Sequence, residues 1–162
     1  MLILPFRVNH FLCAVDGRDV DVVLPYREPV AIVGAPSHQL GTIAYGAEVI
    51  PLIDLRQLLF GQPSARLLGT RIALVRGREE TAGTLALVAE GMTISCHIAD
   101  EWDPVTTTQD DPLARLGPLR EFRGQPLQMI EPRRLWQLIE EVALQADGTP
   151  DTSTSHPRIE SG

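Results

Sequence analysis

Glycine and proline divide the chain into short segments, and this punctuation constrains the fold more than any other feature. The sequence contains 13 Gly and 13 Pro, and the runs between them are rich in apolar and β-branched residues. Runs of about four to eight such residues, bounded by turn residues, are typical of β-strands. The spacing therefore predicts an all-β chain of many short strands, arranged as a sandwich or barrel.

The clearest strand pattern lies in the second half of the chain. Met92, Ile94, Cys96 and Ile98 alternate there with smaller or polar residues. Because successive side chains of a strand point to opposite faces, this alternation predicts a strand with one buried face.

Two segments change to helical spacing. After Asp54, leucines at positions 55, 58 and 59 recur at the interval of a helix face, so a short helical turn with Asp54 as its N-cap is predicted. A longer pattern from about Pro132 to Gln145 predicts a C-terminal α-helix, with the proline in its first turn.

The pattern as a whole predicts two successive sets of about five strands, with a joint near Pro63. Residues 147–162 are rich in Ser, Thr, Pro, Asp and Gly and contain Ile159 as their one large apolar residue. Such a composition cannot bury enough apolar surface to offset the entropy of ordering, so a disordered tail is predicted.

Charge and hydropathy exclude several classes of protein. The net charge is −7, whereas a nucleic-acid partner requires a basic surface, so no nucleic-acid binding is predicted. No apolar run approaches the roughly 20 residues that span a bilayer, and the opening apolar run stops at Pro5. We therefore expect a cytoplasmic protein without direct membrane insertion, in which Cys13 and Cys96 are free thiols.

Motifs for catalysis or cofactor binding are absent from the sequence. The four histidines are dispersed, and no HxH, HExxH or CxxC spacing occurs. Glycine-rich phosphate loops and the Gly-x-Ser-x-Gly elbow are also missing. An acidic group at Asp16, Asp19 and Asp21 is typical of a solvated turn. We predict no catalytic residue, no metal and no cofactor.

The segment 41–56 has the most distinctive pattern in the chain. A glycine, Gly41, opens a short apolar strand; a small turn follows; and the chain then reads Pro-Leu-Ile-Asp-Leu-Arg from Pro51 to Arg56. This segment resembles the hallmark of the CheW family. Residues 71–75 resemble the start of the family's second half, and residues 123–135 its closing hairpin and helix, so the resemblance covers roughly residues 4–142.

The resemblance implies a fold and a role. The fold would be two five-stranded SH3-like barrels packed together within residues 1–146. Barrel 1 would span about residues 16–62, and barrel 2 would combine residues 1–15 with 63–146. The family members are adaptors without catalysis. They bridge the cytoplasmic tip of a methyl-accepting chemoreceptor and the regulatory domain of a CheA-type histidine kinase, so this chain would associate with membrane-bound receptor arrays through its partners.

The resemblance also assigns candidate protein-binding positions. Val20 and Gly41 match family positions on the kinase- or receptor-facing surface. Two positions depart from the family pattern: Gly46 stands where an arginine is usual, and Val22 where an acidic residue is common. Losing an arginine removes a bidentate, charge-assisted contact, so the partner contacts would differ from those of motility adaptors. An array that controls pili, biofilm formation or cyclic-di-GMP output is then possible.

The hallmark motif itself admits a purely structural interpretation. Pro51 and Leu55 fit a core, Asp54 fits a helix cap, and Arg56 fits a surface ion pair. Two other functions stay open at this stage. One is a small cytoplasmic enzyme on a β-barrel scaffold, and the other is a regulator that modulates array assembly.

Overall fold

The computed structural model describes residues 1–77, 83–93, 95–102, 105 and 111–148. Within these ranges the chain forms ten strands and two α-helices. In chain order they are β1 (Leu2–Val8), β2 (Phe11–Asp16), β3 (Val20–Pro25), β4 (Gln39–Tyr45), β5 (Glu48–Asp54), α1 (Leu55–Phe60), β6 (Arg71–Arg76), β7 (Thr84–Ala89), β8 (Cys96–His97), β9 (Leu119–Phe122), β10 (Gln125–Met129) and α2 (Pro132–Gly148).

The strands form two five-stranded sheets. Sheet 1 has the order β8-β1-β2-β10-β9, and sheet 2 has the order β3-β6-β7-β5-β4. Neighbouring strands are antiparallel except β2 with β10 and β5 with β7, which are parallel. The predicted all-β class with two five-stranded units, a short helix and a C-terminal helix is confirmed.

The boundary predicted between the two barrels, near residue 63, differs from the observed sheets. Strands β6 and β7, within residues 71–89, belong to sheet 2 with β3, β4 and β5. After α1 the chain returns along the same barrel, and β7 pairs in parallel with β5. The Gly- and Pro-containing segment 61–69 is therefore a connection inside one barrel. Sheet 1 takes residues 2–16 from the N-terminus and its other strands from residues 96–129.

Most strands are buried on both faces, and alternate residues enter different cores. In β6, Ile72 and Leu74 pack in the interior of the barrel that sheet 2 forms. Ala73 and Val75 pack in a core that both sheets share. A third cluster, around Ile3, lies inside sheet 1. We call the shared core the seam; it includes β1, β2, β6, β7 and residues of both helices. Because side chains alternate between the two faces of each strand, the strands line two barrel interiors and one seam between them.

The alternation predicted near residue 95 is present in burial, although the strand is short. Met92 is buried and Cys96 is half-buried, while Thr93, Ser95 and His97 are exposed. Among the described residues of this segment, Cys96 and His97 pair as a strand with the first residues of β1. Ile94 lies outside the described residues.

Helix α2 continues to Gly148, slightly beyond the predicted end. The remainder of the predicted disordered tail, residues 149–162, lies outside the described residues. Neither helix in the described ranges has the length and apolarity that crossing a bilayer requires.

Candidate protein-interaction surface

Asp54 organises the hallmark motif. Its carboxylate is 2% exposed and accepts hydrogen bonds from the N–H groups of Arg56 and Gln57, at 3.1 and 3.4 Å. It also accepts from the N–H and hydroxyl of Ser64, at 2.8 and 2.7 Å. The predicted N-cap is confirmed, and the same side chain ties the start of α1 to the loop that follows the helix.

The other motif residues are placed by packing and by local hydrogen bonds. Leu55 is fully buried in the seam. Pro51 pairs with Thr42 just before β5 joins β7, where its missing N–H costs no ladder bond. Arg56 donates to the side chain of Gln62 at 3.0 Å, and no acid among the described residues forms an ion pair with it. The motif therefore maintains the local fold, and its contact with partners stays a prediction.

Val20 and Val22 lie on β3, an edge strand of sheet 2 that pairs with β6. A register shift between them changes the alternation, so Val20 packs against the seam and Val22 against the interior of sheet 2. Both side chains are half-buried. Val22 consequently adds to a core, and its contact with a partner stays a prediction.

The residue inserted by this bulge is the one that faces solvent. Asp21 is exposed and forms an ion pair with Arg76 of β6. Sequence reasoning placed Asp21 in a solvated acidic turn and did not find this pair. The Asp21–Arg76 pair depends on the bulge. Because a bulge is set by how two strands pair, the periodicity of the sequence does not predict it.

Gly41 is buried, and it allows the backbone of Val30 to approach β4 closely. Its φ is 145°, and a Cβ atom there would lie 2.2 Å from the carbonyl oxygen of Val30. The neighbouring Thr42 exchanges two backbone hydrogen bonds with Val30, at 2.8 and 2.9 Å. Gly41 thus allows the segment before residue 38 to lie along the outer edge of β4.

Gly46 lies at the tip of the β4–β5 hairpin, exposed and with φ of 60°. Tyr45 and Glu48 pair across this two-residue turn. A first turn residue with positive φ is typical of the type II′ hairpin turn, which favours glycine. An arginine at position 46 would be strained by its backbone, so Ala47, which is exposed, is the better place to add a guanidinium to this turn.

Large apolar side chains are exposed along the β4 edge of sheet 2. We call this set the apolar edge: Val30, Ile32, Val33, Tyr45 and Val49. Val33 is fully exposed, and Val49 is 72% exposed. Exposed apolar side chains grouped in this way are typical of protein-interaction sites. Sequence reasoning found the segment but not this set of side chains.

Charged and aromatic groups border the apolar edge. A groove of about 600 Å³ beside Val49 is lined also by Pro51, Arg76 and Trp136. The Asp21–Arg76 ion pair therefore adjoins this groove. Apolar side chains with a charged rim have the anatomy of a protein interface.

Titratable groups in the described ranges show no arrangement for metal binding. No group of three His, Cys, Asp or Glu side chains is placed to hold an ion there. Burial raises the pKa of the Cys13 thiol to about 12, so this thiol stays protonated and is a poor nucleophile. Burial also lowers the pKa of His38.

The structure has two packed five-stranded barrels that share one seam, and one of the barrels has an exposed apolar edge. The structure is similar to that of the scaffolding protein TtCheW from Thermoanaerobacter tengcongensis. The TM-score is 0.67 at 19% sequence identity, over 80% of this chain and 88% of that one. At this identity the likeness establishes the fold, two SH3-like barrels. No curated protein matches the sequence.

The family model of the CheW-like domain matches residues 2–140. The chain therefore belongs to the CheW-like domain family, whose members are non-enzymatic scaffold proteins of the chemotaxis type.

Proposed function

We propose that this chain is a cytoplasmic adaptor that couples a chemoreceptor to a CheA-type histidine kinase. The observation that carries the proposal is the CheW-like domain over residues 2–140. In this role the chain touches the cytoplasmic tip of the receptor and the regulatory domain of the kinase, and it reaches the membrane through these partners alone.

The apolar edge is the proposed docking face for the kinase. Val33 is fully exposed and Val49 is 72% exposed, so removing both side chains from water favours binding by a few kcal/mol. The kinase's regulatory domain has a similar barrel fold, so the two proteins would meet edge to edge. The Asp21–Arg76 pair at the rim would fix the register of that contact.

Reconstitution with purified receptor and kinase tests the coupling. We expect the chain to bind both proteins and to raise kinase autophosphorylation when all three are present. The coupling role is wrong if neither protein binds at micromolar concentration. Binding without any rise in autophosphorylation would instead indicate a regulator of array assembly.

Two charged substitutions test the docking face. Val33→Asp and Val49→Asp each place a carboxylate in the apolar edge, and we expect the kinase affinity to fall about tenfold or more, since a buried unpaired charge is costly. Leu144→Asp is the matched control, because Leu144 is 70% exposed on α2. Equal affinities for all three variants would exclude the apolar edge as the kinase site.

The hairpin turn gives a test of the departure from the family pattern. Ala47→Arg supplies a guanidinium beside the apolar edge without the backbone strain of position 46. If the missing arginine limits coupling, this variant raises kinase activation. Unchanged activation would show that this adaptor binds its kinase without that contact.

A further inference from the structure

A groove of about 530 Å³ opens on sheet 1, where its two hairpins, β1–β2 and β9–β10, meet the segment that leads into β8. Pro5, Leu12 and Phe122 form the apolar part of its lining. Leu12 and Phe122 are half-buried and also pack against the interior of sheet 1. The volume lies within the range of small-molecule sites, which combine apolar walls with a few polar groups. The apolar edge belongs to sheet 2, so this groove is a different surface.

Two guanidinium groups line the groove, one from each hairpin. Arg7 belongs to β1, Arg123 lies in the turn between β9 and β10, and both residues are exposed. The guanidinium carbon of Arg123 lies 4.8 Å from the centre of the Phe122 ring. Arg7 donates one hydrogen bond, to the carbonyl of His10 at 3.5 Å. Because a guanidinium has five N–H donors, both cations keep donors open to a ligand.

The described residues that line the groove include no acid, and no described acid forms an ion pair with either arginine. Glu90, whose backbone pairs with that of Arg7, accepts from the N–H of Ala65 at 2.9 Å. Asp111, which shares a smaller cavity with Arg7, accepts from the N–H of Leu113 at 2.9 Å. The chain has 21 acidic and 14 basic residues, so a groove lined by two cations runs against its average charge. The lining therefore favours an anionic ligand.

The backbone at Arg123 is unusual for an arginine. Its φ is 51° and that of Gly124 is 76°, while Phe122 and Gln125 pair on either side of them. Two positive φ angles define a type I′ hairpin turn, whose first position favours Asn, Asp or Gly. A long side chain is strained there, and residues held against their backbone preference cluster at binding sites. The turn itself does not call for an arginine, whereas an anion in the groove would.

The donors along the groove match a phosphate better than a carboxylate. The fork of one arginine is enough for the two oxygens of a carboxylate. A phosphomonoester has three terminal oxygens and a charge of about −1.5 to −2 near pH 7, which suits two guanidinium groups. The hydroxyls of Thr93 and Ser95 line the same groove and supply further donors. Because the lining also has an apolar part, a phosphate that carries an organic body covers more of the groove than inorganic phosphate does.

We propose that this groove binds a small organic phosphomonoester, with its phosphate on Arg7 and Arg123 and its apolar body against Leu12 and Phe122. The inference goes beyond the proposed coupling role and does not depend on it.

Calorimetric titration of the purified chain with phenyl phosphate tests the proposal. We expect saturable binding to one site and a rise in melting temperature. Three further probes each lack one feature of the ligand: phenol has no charge, inorganic phosphate has no organic body, and benzoate has a carboxylate in place of the phosphate. Each of the three should bind at least about fivefold more weakly than phenyl phosphate.

Two arginine variants locate the site. Arg123→Asn should weaken phenyl phosphate binding about tenfold, and it should fold well because asparagine suits a positive φ. Arg7→Gln should weaken binding by a similar factor. Arg71→Gln is the matched control, because Arg71 is also exposed on a strand but lies on β6, outside the groove. This control removes the same charge and should bind like the unmodified chain.

The proposal is overturned if phenyl phosphate shows no saturable binding at millimolar concentration. It is also overturned if phenol, inorganic phosphate or benzoate binds as tightly, or if Arg123→Asn and Arg7→Gln bind like Arg71→Gln. The melting temperature of each variant shows that it is folded. Neither receptor nor kinase is present in this assay, so its outcome is independent of the coupling experiments.

Discussion

Asp54 illustrates how a single buried carboxylate joins the hallmark motif to a loop residue, Ser64, ten positions further along the chain. It accepts two hydrogen bonds from the first turn of α1 and two from Ser64. Hydrogen bonds to a charged acceptor contribute more than neutral ones, and leaving a buried donor unpaired is costly. The hallmark aspartate of the family is therefore explained here by folding, before any partner is considered.

Asp54→Asn should lower the free energy of unfolding by about 2 kcal/mol, since an amide presents one acceptor and two donors to four donor groups. Urea denaturation followed by far-UV circular dichroism measures this. Asp21→Asn is the control, because Asp21 lies at the surface and its ion pair should contribute less than about 1 kcal/mol. Equal losses for the two variants would contradict the assigned role of Asp54.

The two cysteines should differ sharply in reactivity. Cys13 is fully buried with its pKa raised to about 12, whereas Cys96 is half-buried. We expect a disulfide reagent such as DTNB to modify one thiol in the folded protein and the second only in denaturant, since the thiolate is the reacting species. Cys96→Ala should abolish the native reaction. Fast modification of that variant would show that Cys13 is accessible.

At the scale of elements, the edges of sheet 2 are shaped by backbone features. Because of the bulge at Asp21, Val20 of β3 packs against the seam and Val22 packs against the interior of sheet 2. On the opposite edge, the Val30–Thr42 bridge lays an irregular segment along β4. Both features limit free edges, which would otherwise pair with other strands. The second feature places Val30 of the apolar edge beside β4.

Gly41→Ala should destabilise the protein by at least about 1 kcal/mol, because its φ favours glycine and a Cβ would meet the carbonyl of Val30. The matched control is Gly83→Ala, where a Cβ has ordinary contacts only. Chemical denaturation of both variants gives the comparison. If Gly41→Ala is as stable as the control, the segment at Val30 must be free to move away from β4.

For the whole molecule, the seam makes the two barrels depend on each other. It takes strands from both sheets and side chains such as Leu55 and Leu135 from both helices. Neither sheet could expose its seam face to water without a large hydrophobic cost. The two barrels should therefore unfold together.

Leu74→Ala and Leu127→Ala remove buried side chains from the interiors of sheet 2 and sheet 1, respectively. Each should cost about 2 to 5 kcal/mol and shift one common transition in urea, seen alike by tryptophan fluorescence and circular dichroism. A variant that loses one barrel in a separate, earlier transition would contradict this coupling.

Much of the fold was predictable from local patterns. The turn residues predicted short strands, and Asp54 followed by helically spaced leucines predicted a capped turn. The alternation from Met92 onward predicted the correct buried face. Less of the candidate site could be predicted from the sequence. Val22 and Gly41 are packed positions in the structure, and the sequence did not predict the apolar edge.

The fold class could be predicted from the sequence, because strand period, turn chemistry and helix capping depend on residues close together in the chain. Which strands share a barrel, where the bulge at Asp21 lies and how deeply Arg120 is buried depend instead on contacts between distant segments. These features arise from pairings between segments up to about a hundred residues apart, such as β1 with β8. Their energies depend on contacts that no local pattern specifies.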